Sequence, residues 1–461
     1  MSARRRRGVR AHAASLTVTA ASLALVAACT TSDPRQASEP TTSASSPSSS
    51  ATGPVTLQFA VYGEPAVLAS YKKLVATWNA DHPDITVKLE TAEDAVTSED
   101  QVDRAFVAGD PPDVFLTAQT SLPELVAEKR VQPVDQLLEQ RGVQFGDSFQ
   151  RIGLEAFAGN AALQCMPDEV SPYVVFYNKR LLVPRTFAQP GETPPSPERG
   201  WTWDQFVAAA KASSHDGVKG VYLPPRMTTL LPLVRSAGAD LVDDARLPTT
   251  TTFSDEAART ALEDVLTVAR DPNLTPTPRE LRRQDALSRF EDGKLAMTIG
   301  TRSLVPELRN KPDLHFDVFP LPDLGRSRTV ADMTGLCLAP GTGRLQQAAD
   351  FLTFATGDEG SQIMAESGGV VPANISALHS VQFLQPGQFP RNGDVFDTVI
   401  RRADALPAAT RWPDVTSQTQ PFLDRLFYAP VLDLDTLLPR IDEVSASLLT
   451  PPSSPTPSPS G

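Results

Sequence analysis

The residues in this 461-residue chain best suited to nucleophilic or metal chemistry are three cysteines (Cys29, Cys165, Cys337) and five histidines (His12, His82, His215, His315, His379). Their spacing supports neither. The histidines stand singly, and neither an HxxEH-like nor a CxxC spacing exists, so a metal site is unsupported. The chain also lacks GxSxG, a phosphate-cradling GxxxxGK, and a GxGxxG opening a helix. No cofactor follows from the sequence. Fifty-five acidic residues guarantee chance carboxylate pairs. Composition alone therefore leaves a secreted two-carboxylate hydrolase, such as a glycosidase, open.

The ends of the chain carry addresses rather than fold. Arg4 to Arg7, with Arg10, form a positive n-region, and an apolar run follows from about Ala13 to Ala28. The run is short for a bilayer span and ends in small residues, so residues 1–28 read as a signal peptide. Leu25-Val26-Ala27-Ala28-Cys29 resembles a bacterial lipobox, in which the Cys29 thiol takes a diacylglycerol and becomes the mature N-terminus. The alternative is an ordinary signal peptide with a chance cysteine. The arginine pairs leave Sec and twin-arginine export both open. Residues 29–53 are a Ser/Thr/Pro/Ala linker, expected to be a disordered tether, and 450–461 a disordered tail. The formal charge is −13, and residues 1–28 hold five Arg and no acid, so the processed chain stands near −18 (−13 − 5). An acidic body argues against nucleic acid and against an anionic membrane surface, leaving the lipid anchor as the membrane contact.

Between these ends, strand and helix patterns alternate. Strands are expected over 55–62, 85–89, 113–116, 173–178, 219–223, 295–299, 316–319 and 335–339. Helices are expected over 66–79, 98–108, 201–212, 228–238, 254–270, 279–290 and 345–355, with the last hundred residues mostly helical. Thr202 and Gln205 form a capping box, with Trp201 and Phe206 as its hydrophobic staple. The short apolar strands suit parallel sheets covered by helices on both faces, and strand–helix–strand order points to doubly wound α/β lobes. In such sheets ligands bind beyond the carboxyl ends of the strands. The loops at 63–65, 117–121, 224–228 and 300–303 are then the places to search.

Six ordered pieces give the sequence a family likeness. They are Pro112-Asp113-Val114-Phe115; Pro172 through Leu182; Trp201-Thr202-Trp203-Asp204-Gln205-Phe206; Phe290 through Met297; Ala348-Ala349-Asp350-Phe351-Leu352; and Gly369-Val370-Val371-Pro372-Ala373. Over nearly all of 55–449 the chain resembles the extracellular solute-binding proteins of family 1, the maltose-binding-protein-like components of sugar ABC importers. The resemblance implies a periplasmic-binding-protein-like α/β fold: two doubly wound lobes joined by hinge strands. It places lobe one at 54–165 plus about 338–390, and lobe two at 166–337 plus about 391–449. The chain would cross near 165–168, return near 335–339 and cross again around 390. The implied function is capture of a small polar ligand, a sugar, by lobe closure, without catalysis. The implied partners are ABC permease subunits, and a monomer is expected.

By position in that family, the candidate ligand contacts are Tyr62 and Glu64; Thr117 and Gln119; Asp168 and Tyr173; Arg226 and Met227; Thr301 and Arg302; Asp332 and Thr334; and Arg411 and Trp412. Tyr62, Arg302 and Trp412 are preferred. Asp113 is read as a structural carboxylate and Trp203 as core. The family often has a stacking Trp after its AM-x-x-G strand, where this chain has Arg302. A guanidinium suits a phosphate or carboxylate, which makes a sugar phosphate, a polyol phosphate or another non-sugar solute the alternative ligand. Cys165 and Cys337 fall on the crossing strands that are neighbours in the family fold, so a disulfide between them is expected, provided that their Cα atoms lie within about 7 Å.

Overall fold

The computed structural model describes residues 54–449. The expected signal peptide, the lipobox with Cys29, the linker and the tail lie outside these residues. Ten strands carry the architecture: β1 Val55–Tyr62, β2 Ile85–Ala92, β3 Val114–Ala118, β4 Cys165–Pro172, β5 Val174–Asn178, β6 Lys219–Tyr222, β7 Leu295–Gly300, β8 Phe316–Phe319, β9 Thr329–Leu338 and β10 Ala403–Ala405. The first sheet runs β10-β9-β3-β1-β2, with β4 paired to the other edge of β9; the second runs β8-β5-β7-β6. In the first sheet β1 lies parallel to β2 and β3, while β9 is antiparallel to both β3 and β4. The second sheet departs from the expected parallel arrangement: only β6 and β7 are parallel, and β5 opposes both its neighbours. Its strands are largely apolar because both faces are covered, not because the sheet is parallel.

Helices fill both faces. They include α1 Pro65–Asp81, α2 Ala95–Ala108, α3 Trp203–Ser213, α4 Met227–Ala237, α5 Glu256–Ala269, α6 Leu345–Thr356, α7 Asp358–Ala365, α8 Val395–Ile400, α9 Trp412–Tyr428 and α10 Leu434–Leu449. α1 buries Tyr71, Leu74, Val75 and Trp78, the stripe that its 3.6-residue period lays on one side. The capping box at α3 forms as read: Gln205 N donates to Thr202 Oγ1 and Thr202 N to Gln205 Oε1, with Trp201 packed edge-on to Phe206 at 5.3 Å. α2 begins three residues earlier than expected, because Asp94 Oδ1 caps it by accepting from Thr97 N. The helix expected at 279–290 is two pieces, Pro278–Leu281 and Ala286–Glu291, since Asp285 caps a fresh start by accepting from Ser288 N.

Two apolar clusters underlie the sheets. One centres on the first sheet and α1 and α6, with Phe59 against Phe351 at 5.1 Å. The other holds α3, α4, α5, α9 and α10 against one face of the second sheet. The division is incomplete: Val174, Phe176, Phe316 and Val318 turn their other face into the first cluster. The crossings also lie further along the chain than expected. β4 and β9 belong wholly to the first sheet, so the chain crosses at Tyr173 and returns over about 320–328. The third crossing follows β10, beyond 405 rather than near 390, because α8 packs into the first cluster through Val395, Phe396, Val399 and Ile400.

Cys165 and Cys337 face one another across β4 and β9 and are disulfide-bonded, with Cα atoms 4.4 Å apart, the spacing of a non-hydrogen-bonded antiparallel pair. Both are fully buried. The bond closes a 172-residue separation. Replacing both cysteines by alanine is expected to lower unfolding stability by about 2–5 kcal/mol, read as a lower urea midpoint against the oxidised wild type. An unchanged midpoint would show that strand pairing alone holds this junction.

Candidate functional site

The β4–β9 register sets one face of the strand pair. Ser171 stands opposite Asp332 and Glu169 opposite Thr334, and residues directly opposite in an antiparallel pair share a face. Between Thr334 and Gly335 the register slips, so that Pro167 pairs with Gly335 and Asp168 is the extra residue of a bulge. Bulges of this kind re-aim side chains and gather near functional sites. Here the Asp168 carboxylate accepts a 2.8 Å hydrogen bond from the Tyr71 hydroxyl on α1. Tyr173, just past β4, donates its hydroxyl to Asp332 at 2.6 Å.

The electrostatics of this face are unusual. Burial pushes the Asp168 carboxyl up to about 6, against the Tyr71 hydrogen bond. Burial likewise pushes Asp332 up to about 6, against its bond from Tyr173 and the charge of Arg226. Glu169 rises to about 8, through burial first and the neighbouring Asp168 charge second. The Tyr62 hydroxyl is raised by burial and then by Glu99, Glu169, Asp332 and Asp168. Those five acids and phenols therefore converge from β1, α2, β4 and β9. Glu169 and Asp332 keep partial solvent access although protein surrounds them, as groups on the floor of a cleft do. The Ser171 hydroxyl, 3% exposed, stands beside Glu169 yet makes no hydrogen bond of ordinary geometry.

Of the residues named from the sequence, Tyr62, Asp168, Tyr173, Asp332 and Thr334 come together here, and Arg226 faces Asp332 from the N-terminus of α4. The others go elsewhere. Glu64 is exposed ahead of α1 and Met227 is packed in the second apolar cluster. Thr117 is buried on β3 opposite Gly335. Gln119 is buried, donating to the Leu406 carbonyl at 2.8 Å with its Oε1 unpartnered. Thr301 bonds Ser303, and Arg411 pairs with Asp414 on the surface. Trp412 is 2% exposed within the second cluster, so its faces are already covered by apolar side chains.

Arg302 does not present a free guanidinium. It is 1% exposed, donates Nε to the Gly368 carbonyl at 3.0 Å and Nη2 to the Phe383 carbonyl, and stacks on the Phe383 ring at 3.9 Å. Burial draws its pKa down to about 9. The side chain ties the loop after β7 to the 368–396 segment.

Sequence reasoning missed Glu169, Ser171, Tyr71 and Glu99. The first two were within reach, because counting back in twos from Tyr173 gives Ser171 and Glu169. Tyr71 and Glu99 needed the packing of α1 and α2. Two surface hollows lie apart from this face. One, of about 540 Å³, is lined by residues including Pro111, Arg130 and Arg344; the other, of about 680 Å³, by residues including Glu280 and Arg289.

A folded state that holds protons on Glu169, Asp168 and Asp332 more tightly than the unfolded chain loses stability as pH rises through that window. The unliganded melting temperature is therefore expected to fall from about pH 5 to about pH 8, with Glu169→Gln flattening the upper part. Asp94, Asp243 and Asp285 are lowered carboxyls and act below this range. A wild-type profile parallel to that of Glu169→Gln would mean that Glu169 ionises without penalty.

Comparison with known proteins places this geometry. The model of the family described as bacterial extracellular solute-binding protein matches residues 73–391. An uncharacterized lipoprotein from Streptomyces antibioticus, encoded in the oleD 5' region, is 26% identical over 338 residues, 71% of this chain and 72% of that protein. An ABC substrate-binding protein of Listeria monocytogenes, solved with cycloalternan, superposes with a TM-score of 0.73 at 18% identity, over 85% of this chain and 98% of that one. The GacH receptor of Streptomyces glaucescens, solved unliganded and with acarbose, superposes with a TM-score of 0.70 at 17% identity, over 86% and 98%. These likenesses establish a maltose-binding-protein-like periplasmic binding fold.

Proposed function

This chain belongs to the bacterial extracellular solute-binding proteins, and from that premise we propose that it captures a carbohydrate by closing two lobes over it and hands it to the permease subunits of an ABC importer. Proteins of this family bind and release rather than catalyse. The observation that carries the reading is the row Glu169, Ser171 and Tyr173 facing Asp332 and Thr334, on the two strands next to which the chain crosses between its sheets. Sugar hydroxyls are held by such carboxylate and hydroxyl groups, and a phenol ring can cover a C–H face. Cycloalternan and acarbose in the structural neighbours support the ligand class. Tyr62, Asp168, Glu169, Tyr173, Asp332 and Thr334 are the contacts we propose, with Arg226 at the rim. A guest touching groups from both lobes favours the closed form and shifts the population towards it.

The lipid anchor at Cys29 belongs to the same proposal, supported by the lipobox-like residues and by the lipoprotein relative. It places the protein on the outer face of the cell membrane. Among the described residues no helix is long and apolar enough to cross a membrane. The phosphorylated-ligand alternative rested on Arg302, and that side chain is 1% exposed with Nε and Nη2 given to main-chain carbonyls.

A thermal-shift and calorimetry series over maltotriose, cycloalternan, acarbose and glucosamine oligomers is the test. Saturation at about 100 times Kd adds about 2.7 kcal/mol to stability, a shift of several degrees. Tyr173→Phe removes the donor to Asp332 and is expected to weaken the bound sugar roughly tenfold. Silence across the whole panel, or hydrolysis of a bound saccharide, would overturn carbohydrate capture.

A further inference from the structure

Two carboxylates that this chain buries fully for its fold are each given a cation. Asp113, 1% exposed, accepts from Arg344 Nε at 2.8 Å and from the Gln58 amide. Asp317, 0% exposed, accepts from Lys179 Nζ at 2.8 Å and from the Asn392 amide. The carboxylates on the β4–β9 face are treated differently. Among the described residues, no Lys, Arg or His nitrogen comes within ion-pair distance of Asp168, Glu169 or Asp332, nor of Glu99 beside them. Their donors are neutral: the hydroxyls of Tyr71, Tyr173 and Ser121 and the Val371 amide. Two cations act from a distance. Arg226 is exposed, and Arg302, which feels the Glu169 charge, gives Nε and Nη2 to two carbonyls and makes no direct contact with the face.

Such a face is incomplete as it stands. Ionised carboxylates away from water need a counter-charge or must take up protons. A second, independent sign is the Ser171 hydroxyl. It is buried, lies directly opposite Asp332, and stands beside Glu169 without a hydrogen bond of ordinary geometry to any protein atom. It is a polar atom held in readiness on the same face. The carboxylates are not gathered to chelate, since no group of three or more His, Cys, Asp or Glu among the described residues could hold a metal ion. The missing positive charge is then one carried on an organic solute.

We propose that this cleft selects saccharides bearing a protonated amine, whose ammonium group is received by the Glu169–Ser171–Asp332 face. The inference rests on the carbohydrate-capture reading and narrows it. An ammonium offers three donors to acceptors that face one another. A neutral sugar leaves the carboxylates uncompensated when the cleft closes, and a phosphorylated one adds a further like charge. The order of preference is cationic, then neutral, then anionic.

The test is calorimetric titration at pH 7 of the full mature chain with four probes: glucosamine trimer, its fully N-acetylated trimer, maltotriose and glucosamine 6-phosphate. The glucosamine trimer is expected to bind at least about tenfold more tightly than its N-acetylated counterpart, and glucosamine 6-phosphate to bind least. In Glu169→Gln/Asp332→Asn the ratio between the two trimers is expected to fall towards one. The unliganded double variant serves as the folding control: removing uncompensated charge should leave its melting temperature at pH 8 equal to or above that of the wild type. If maltotriose or the N-acetylated trimer binds as tightly as the amine, the preference for a cation is wrong while carbohydrate capture stands. If none of the four binds, the preference for a cation falls, and carbohydrate capture falls with it when cycloalternan and acarbose are silent as well. A double variant that melts well below the wild type at pH 8 would show that the carboxylates are already compensated, and would overturn the inference without any ligand.

Discussion

The pairing of β4 with β9 is the constraint on which the molecule turns. These two antiparallel strands are each followed or preceded by a passage between the sheets, so their register decides where both halves stand. The same register aligns Glu169, Ser171, Asp332 and Thr334 on one face. Junction and proposed binding floor are therefore one object. A slip of one residue would carry that whole row to the opposite face, because side chains alternate along a strand. The buried disulfide holds Cys165 against Cys337 at one end of the pair and fixes the register there.

On top of this frame the chain uses two ways of burying charge. Asp113 and Asp317 are given Arg344 and Lys179, and they stabilise contacts distant in sequence. Arg302 is given carbonyls and aromatic rings in place of a carboxylate. Its neighbours accept the cation through carbonyl dipoles and the negative faces of Phe383 and Phe396. Among the described residues, the β4–β9 face leaves like charges together, with phenols among their donors. Asp113 and Asp317 are balanced by their own ion pairs, whereas this face keeps an imbalance of the kind that marks candidate functional sites.

Much of the fold was legible because its signals are local. The Thr202–Gln205 capping box, the Gly238 helix end and the apolar stripe of α1 depend on residues a few positions apart. The direction of β5 was not legible, since a strand covered on both faces looks the same whether its neighbours run parallel or antiparallel. The site was legible in part for a similar reason. Loop positions after strands pointed to Tyr62 and Arg226, and the resemblance pointed to Asp168, Tyr173 and Asp332. It could not reveal that Arg302 turns inward. Its partners, Gly368 and Phe383, lie 66 and 81 residues away, and no short-range pattern announces a carbonyl as the partner of a guanidinium. Trp412 misled similarly, as a large aromatic at a helix start serves a core as readily as a sugar.

The Cys165–Cys337 bond has a topological consequence. All four strands of the second sheet lie inside the loop it closes. The exposed, proline-bearing stretch 189–194 lies inside it too. A protease that cut there would nick the chain without releasing a fragment, because both pieces would stay joined through the cross-link. For a domain displayed outside the cell, such a molecule would separate into two only after reduction.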